Sequence, residues 1–195
     1  MAKLLYQGHG SYRITADDGR VLYVDPYAGE GYDKPADIVL ITHEHYDHNK
    51  LELLTMKPST ILHRSGDMLV NGEYRTVEMD GITVTAVPAC NKNHPISTVG
   101  YLIRVDGVLI YASGDTSRTD YMASMAELGI DYALLPTDGF YNMGLEEAME
   151  CADLIGAKHT IPIHMKPGDL YDDDKAKAFT VKSALLVRPG EEISL

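Results

Sequence analysis

The segment Thr42-His43-Glu44-His45-Tyr46-Asp47-His48 constrains this chain more than any other. It places four candidate metal ligands, His43, His45, Asp47 and His48, within six consecutive positions. It follows directly on the apolar run Ile38-Val39-Leu40-Ile41, and Asp37 to Thr42 reads as a strand buried on both faces. Imidazole nitrogen and carboxylate oxygen suit zinc and neighbouring divalent metals. At a sharp turn out of such a strand, His43 and His45 can point one way while Asp47 and His48 point another. One short loop can then serve two adjacent ions. A solvated polar loop is the competing explanation, and three histidines with an aspartate at this spacing weigh against it.

Further donors come later, each at or near the end of a strand-like run. His94 follows Ile82 to Val87, Asp115 follows Val108 to Ala112 within Ser113-Gly114-Asp115-Thr116, and His164 follows a short strand ending at Ile163. Taken singly, His94 is equally a surface-turn histidine, Asp115 a helix cap and His164 a core histidine. Together with the first cluster they make seven donors, enough for two ions with a position left open.

The rest of the chain reads as many short strands with a few helices. Ser11 to Ala16 and Arg20 to Asp25 are joined by Asp17-Asp18-Gly19. Asp80-Gly81 and Asp106-Gly107 join two more strand pairs, Tyr74–Glu78 with Ile82–Val87 and Val99–Val105 with Val108–Ala112. Asp-Gly between β-rich runs is a hairpin signal. Ala133 to Leu135, Thr160 to Ile163 and Ala184 to Val187 are further short strands. Helices are expected over Asn49 to Met56, closed by Pro58, and over Asp120 to Leu128, ending at Gly129. A third is expected on the stripe Leu145, Ala148, Met149, Ala152 and Ile155, with Gly156 as its stop. Pattern alone gives a mixed α and β class.

At 195 residues with no linker or repeat, a single domain over residues 1–195 is expected. The formal net charge of −12 argues against non-specific nucleic-acid binding, which rests on basic phosphate contacts. Cys90 and Cys151 lie far apart without a CxxC pattern, so no disulfide framework is expected. No signal peptide or membrane span is visible at the level of sequence, and a cytoplasmic protein with no membrane partner is the expectation. Oligomeric state is left open.

The pattern His43-x-His45-x-Asp47-His48, then His94, then Asp115 within Gly-Asp-Thr, then His164 resembles the five-motif signature of the metallo-β-lactamase superfamily. Gly8-His9-Gly10-Ser11 and Leu134-Leu135-Pro136 followed by Gly139-Phe140-Tyr141-Asn142-Met143 are similar to the branch of small hydrolases that includes L-ascorbate-6-phosphate lactonase. The resemblance covers nearly the whole chain. It implies an α+β fold, a four-layer αβ/βα sandwich, with a binuclear centre. His43, His45 and His94 would hold one ion, Asp47, His48 and His164 the other, and Asp115 would bridge them. Asp47 and Asp115 are then the catalytic carboxylates. The cofactors implied are two divalent ions, Zn2+ first and Mn2+ or Fe2+ as alternatives. A hydroxide shared by two such ions would form near neutral pH and attack a carbonyl or phosphoryl centre. Two departures stand out. Cys90 replaces an aromatic residue of that branch, and Thr137-Asp138-Gly139 replaces a Gly-Gly pair, so that Asp138 either orients a ligand or makes a turn.

Two ions bring about +4 to the site against −2 from Asp47 and Asp115 and −1 from hydroxide, so the centre is about +1. The expected partner is therefore a small anionic substrate, a lactone or a phosphorylated metabolite, with no nucleic acid. Lys92, Arg118 and Lys166 flank the ligand loops and are candidate substrate contacts, Arg118 first because its guanidinium forks onto phosphate or carboxylate. His9 is expected as a substrate contact or as support for a ligand. His63 and His159 match no motif and are read as packing or loop residues. Two rivals remain open: a phosphodiesterase or nuclease on the same centre, and a non-catalytic metal-binding protein, which seven donors make hard to sustain.

Overall fold

The computed structural model describes residues 1–92 and 98–195. The chain first builds one sheet from β1 (Lys3–Gly8), β2 (Ser11–Thr15), β3 (Val21–Val24), β4 (Ala36–Ile41) and β5 (Met56–Arg64). A single helical turn, α1 (Ser65–Met68), and a small hairpin, β6 (Leu69–Val70) with β7 (Glu73–Tyr74), lead to the second sheet. That sheet holds β8 (Thr76–Met79), β9 (Ile82–Pro88), β10 (Val99–Val105), β11 (Val108–Ala112), β12 (Tyr132–Pro136) and β13 (His159–Ile163). Helix α2 (Leu145–Ile155) connects β12 to β13, while α3 (Asp173–Ala178) precedes β14 (Glu192–Ser194), which returns to pair with β1. The strand orders are β14-β1-β2-β3-β4-β5 and β13-β12-β11-β10-β9-β8.

Both sheets repeat one pattern. β1-β2-β3 and β9-β10-β11 are antiparallel, and β3-β4-β5 and β11-β12-β13 are parallel. The turns expected from Asp-Gly are present. Asp80 and Gly81 sit at φ 49° and 86°, and Asp106 and Gly107 at 49° and 82°, the double positive φ that matches strand twist in a two-residue hairpin.

The main core lies between the sheets, where Leu4, Tyr12, Ile14, Ile38 and Leu40 meet Ile82, Val84, Tyr101, Ile110 and Leu134. Alternation along β4 sends Ile38 and Leu40 inward, and Val39 and Ile41 to the outer face with Tyr23 and Leu54. The apolar run is thus buried on both faces, as its continuity requires. On the second sheet, Leu109 and Tyr111 pack against Ala148, Cys151, Ala152 and Ile155 of α2. The i, i+3, i+4, i+7 spacing puts these four on one helix face, and Gly156 ends the helix at φ 67°. Burying each large aliphatic side chain contributes about 1.5–3 kcal/mol.

Three expected elements differ. Asn49 to Met56 holds only a 3-10 turn, Leu51–Leu53. Thr55 already accepts a hydrogen bond from Ala36 N (2.9 Å), and Met56 starts β5, so pairing with β4 leaves no room for a second helical turn. Asp120–Leu128 is helical but of 3-10 type. Ala184 to Val187 makes a single bridge, Thr160 to Ala184, because the chain then turns Val187 into the inter-sheet core. The second sheet is therefore covered by helix, and the outer face of the first by loops and the 3-10 turn. No helix among the described residues is long and apolar enough to cross a membrane.

Candidate metal centre

Parallel neighbours end on the same rim, which is why residues remote in sequence meet here. Asp25 follows β3, Thr42 to His48 follow β4, Asp115 follows β11, Asp138 follows β12 and His164 follows β13. The backbone is bent sharply at this rim. His9, Asp25 and His164 adopt φ 55°, 46° and 43°, a left-handed conformation that costs a side-chain-bearing residue on the order of 1 kcal/mol or more. Gly114 sits at φ 62°, and a Cβ there would lie 2.8 Å from Thr42 Cβ. Only glycine lets the loop carrying Asp115 close on the loop carrying His43.

Asp25 organises the first loop. Its Oδ1 accepts from Thr42 N (2.7 Å), and its Oδ2 accepts from Thr42 Oγ1 (2.6 Å) and faces His48 Nδ1 (2.8 Å). A carboxylate only accepts, so His48 carries its proton on Nδ1 and turns Nε2 to the site. Thr42 Oγ1 spends its one proton on Asp25, so its 3.0 Å contact with His43 Nδ1 is donated by the imidazole. His43 Nε2 then faces Asp115 Oδ2 at 3.8 Å. Asp138 acts likewise on the other side. Its Oδ2 lies 3.0 Å from His164 Nδ1, while its Oδ1 accepts the N–H groups of Phe140, Tyr141 and Asn142 at 2.6, 2.8 and 3.1 Å. Asp138 thus forms the turn, and its Oδ2 stands beside His164 Nδ1 without an aligned hydrogen bond between them.

The ligand atoms converge. His48 Nε2 lies 3.2 Å and His164 Nε2 3.4 Å from Asp115 Oδ1, and His164 Nε2 is 3.9 Å from Asp47 Oδ2. His48 Nε2, His164 Nε2 and Asp115 Oδ1 are all buried with no aligned hydrogen-bond partner. Such orphaned polar atoms are costly. Two donors at about 2.0–2.1 Å from one ion stand about 3.3–3.4 Å apart at a tetrahedral angle. The separations and the missing partners therefore both fit a divalent cation. The His43 and His45 rings lie 4.9 Å apart between centroids, tilted by 59°.

The electrostatics agree. Burial disfavours charge on His48, yet the carboxylates of Asp115 and Asp25 beside it hold its pKa well above the usual histidine range. Burial pushes the Asp115 carboxyl up, but His48, His164 and His43 together hold it well below the carboxylate range. Asp47 is lowered in the same way, against burial, by His9, His48 and His164. Asp138, also against burial, is brought down to about 2 by His164 and the loop N–H groups. This is a cluster of carboxylates that keeps its negative charge and calls for positive charge among them.

Of the residues anticipated from sequence, the structure brings together His43, His45, Asp47, His48, Asp115 and His164. His94 lies outside the described residues. His9 is fully buried, with Nε2 3.2 Å from Asp47 Oδ2, Nδ1 3.0 Å from the Asp169 carbonyl oxygen, and its own carbonyl accepting from His164 N at 2.8 Å. It does not line the cavity, and one of its ring nitrogens clusters with ligand atoms of Asp47, His48 and His164 closely enough to share an ion. That cavity, about 470 Å3, is lined by His45, Tyr46, Asp47, Asp115, Tyr141, Pro167 and Gly168. None of the three anticipated cations is among those residues. Arg118 lines a separate groove with Cys90 and Tyr74, its backbone N held by Glu147 and its guanidinium 4.0 Å from Glu150. Lys166 pairs with Asp169 at 2.6 Å, and Lys92 is exposed. Cys90 and Cys151 are both free thiols.

Sequence reasoning gave no role to Asp25 or Lys175. Asp25 carries the signal that flagged Asp115, an aspartate closing an apolar strand, here before Pro26. Lys175 on α3 donates to the carbonyls of Thr137, Asp138 and Met165 at 3.1, 2.5 and 2.6 Å, tying the loops after β12 and β13 together. Nothing local to Lys175 announces that.

The family description "Beta-lactamase superfamily domain" fits residues 3–164, which hold every donor named above. The chain belongs to this superfamily. A UPF0173 metal-dependent hydrolase from Methanoregula boonei is 34% identical over 98% of this chain and 97% of its own length. Within the superfamily, this chain is a metal-dependent hydrolase. A solved structure from Parabacteroides distasonis superposes with a TM-score of 0.79 at 27% identity, covering 96% of this chain and 92% of that one. A metallo hydrolase from Ignicoccus hospitalis, 22% identical, gives a TM-score of 0.76 over 98% and 97% of the two chains and shares the fold. The superfamily's metallo-β-lactamase fold is the sandwich expected from the motifs.

Proposed function

We propose that this hydrolase cleaves the ester bond of a small molecule, a lactone foremost, at a two-ion centre held by His43, His45, His94, Asp47, His48, His164 and a bridging Asp115. The observation that carries the reading is the convergence of buried, unpartnered His48 Nε2, His164 Nε2 and Asp115 Oδ1 next to a cavity that reaches Asp47 and Asp115. Divalent ions in such a set activate a nucleophile at neutral pH and stabilise developing oxyanion charge. The chain's own residues do the rest. Asp25 holds the Nδ1 proton of His48, and Asp138 Oδ2 lies 3.0 Å from His164 Nδ1, so that both Nε2 atoms face inward, where they would offer lone pairs to an ion. Thr42 carries the same order from Asp25 to His43. Asp47 and Asp115 stay ionised and offset the cationic charge.

A second reading keeps the centre and changes the electrophile to the phosphoryl group of a small metabolite. Lys166 is the group that would serve it, because its pair with Asp169 is solvent-exposed and its neighbours Pro167 and Gly168 line the cavity. One experiment separates the two. The purified protein is stripped of metal, reloaded separately with Zn2+ and with Mn2+, and offered lactones, phosphomonoesters and phosphodiesters. Metal-restored lactone turnover is the expected result. Phosphoester turnover alone selects the second reading, and no turnover with metal bound supports the non-catalytic alternative.

A further inference from the structure

The cavity at the centre is lined by two tyrosines, Tyr46 and Tyr141. Tyr46 stands between the ligands His45 and Asp47 and is 68% exposed, and Tyr141 is 42% exposed. Phe140, 61% exposed, meets the Tyr141 ring edge-on at 4.6 Å. Large apolar side chains this open are a cost unless something covers them. They are also held in place. Tyr46 packs edge-on against Tyr27 at 6.0 Å, and Lys50 Nζ caps the Tyr27 ring at 4.5 Å. Around Tyr141, Asp138 Oδ1 gathers three successive N–H groups, those of Phe140, Tyr141 and Asn142, while its Oδ2 faces the ligand His164. One carboxylate thereby sets both a metal ligand and the aromatic wall beside it.

We propose that Tyr46 and Tyr141, with Phe140 at the rim, form a subsite for a planar or apolar ring, so that the substrate is a neutral ring-bearing ester or lactone. This rests on the reading of the cavity as the substrate site. Its volume, about 470 Å3, falls within the range of about 300–1,000 Å3 common for small-molecule pockets. Its described lining includes tyrosines, Pro167 and Gly168 but no Lys or Arg, so the only positive charge available to a substrate there is that of the bound ions. A phosphorylated compound would have its phosphate drawn to those ions and would leave the aromatic walls uncovered. A ring places its apolar area on the tyrosines and leaves the ester to the centre.

Binding is measured without turnover. Metal-loaded protein is titrated calorimetrically with a δ-lactam, its phenyl-substituted analogue and a phosphorylated analogue, the amide standing in for the ester. Burying one phenyl ring predicts a gain of about tenfold or more in affinity over the bare lactam. Tyr141→Ala and Tyr46→Leu should each remove at least about threefold of that gain, with metal content unchanged and affinity for the bare lactam preserved. Equal affinity of the phenyl and bare lactams overturns the subsite. So does an equal loss for both lactams in the two variants, whereas tighter binding of the phosphorylated analogue with the phenyl gain intact overturns only the neutral substrate. Ring preference without lactone turnover would remove the proposed reaction and leave the subsite. Turnover without ring preference would do the reverse.

Discussion

Asp25 and Asp115 close equivalent strands, β3 and β11, each at the switch from antiparallel to parallel pairing in its sheet. They do opposite work. Both oxygens of Asp25 are engaged, by Thr42 N, Thr42 Oγ1 and His48 Nδ1. Asp115 Oδ1 has no aligned partner although it is buried. The same residue type just beyond two equivalent strands, one residue past β3 and three past β11, therefore serves once to hold the loop of candidate ligands and once to face the candidate metal centre. What separates them is the neighbour. Asp25 meets N–H and O–H donors from the loop that follows β4, whereas Asp115 Oδ1 faces the Nε2 atoms of His48 and His164 without an aligned hydrogen bond.

Substitution of each aspartate tests that contrast. Asp115→Asn keeps the shape and removes a charge between cations. Metal content by elemental analysis should fall, and turnover should drop by about 10²-fold or more. Full activity with both ions bound would show that Asp115 does not bridge. Asp25→Asn should weaken metal binding by about 10–100-fold, because His48 loses the acceptor that fixes its Nδ1 proton. The sharper comparison is metal-free. At pH 8, Asp25→Asn should melt below the wild-type protein, since its amide keeps one accepting oxygen and turns an NH2 group toward a donor of Thr42 or His48, at a cost of about 1–3 kcal/mol. Asp115→Asn, which gives up only the ion-pair contacts of Asp115 with His48 and His164, should fall by less than Asp25→Asn. Equal losses in both variants would erase the distinction.

Smaller effects follow outward from the rim. Gly114→Ala forces a Cβ against Thr42 at a left-handed φ and should cost about 1–3 kcal/mol in chemical denaturation, with weakened metal binding because two ligand loops are pushed apart. Arg118→Ala should change stability by less than about 0.5 kcal/mol, as its guanidinium makes one long, exposed ion pair. It should also leave KM for a neutral lactone unaltered. A raised KM for an anionic substrate in that variant would bring the groove beside Cys90 into the substrate site.

The donors were legible in the sequence because their types and spacing are chemically unusual, and because strands ending in His or Asp place them at chain positions where loops begin. The sandwich was legible through Ile38 to Ile41, whose unbroken apolarity needs two covered faces, and through Asp80-Gly81 and Asp106-Gly107, whose backbone suits a hairpin. The missing helix after Asn49 was not legible, since β5 competes for the same residues through pairing with a strand that precedes them. Lys175 and Asp25 were silent for the same reason, because each acts on groups brought near only by folding.

The positions of Lys92, Arg118 and Lys166 mark the boundary most clearly. Their nearness in sequence to His94, Asp115 and His164 made them candidates for gripping a substrate. A side chain's direction depends on what surrounds it: Arg118 lines another groove, Lys166 pairs with Asp169 at the surface, and neither is among the residues lining the cavity. Residue type and spacing determined which atoms could bind a metal, because ligand chemistry belongs to the side chain itself. Which tautomer each histidine takes, and whether rings or charges wall the cavity, was decided only by the tertiary structure, because both depend on partners from distant strands.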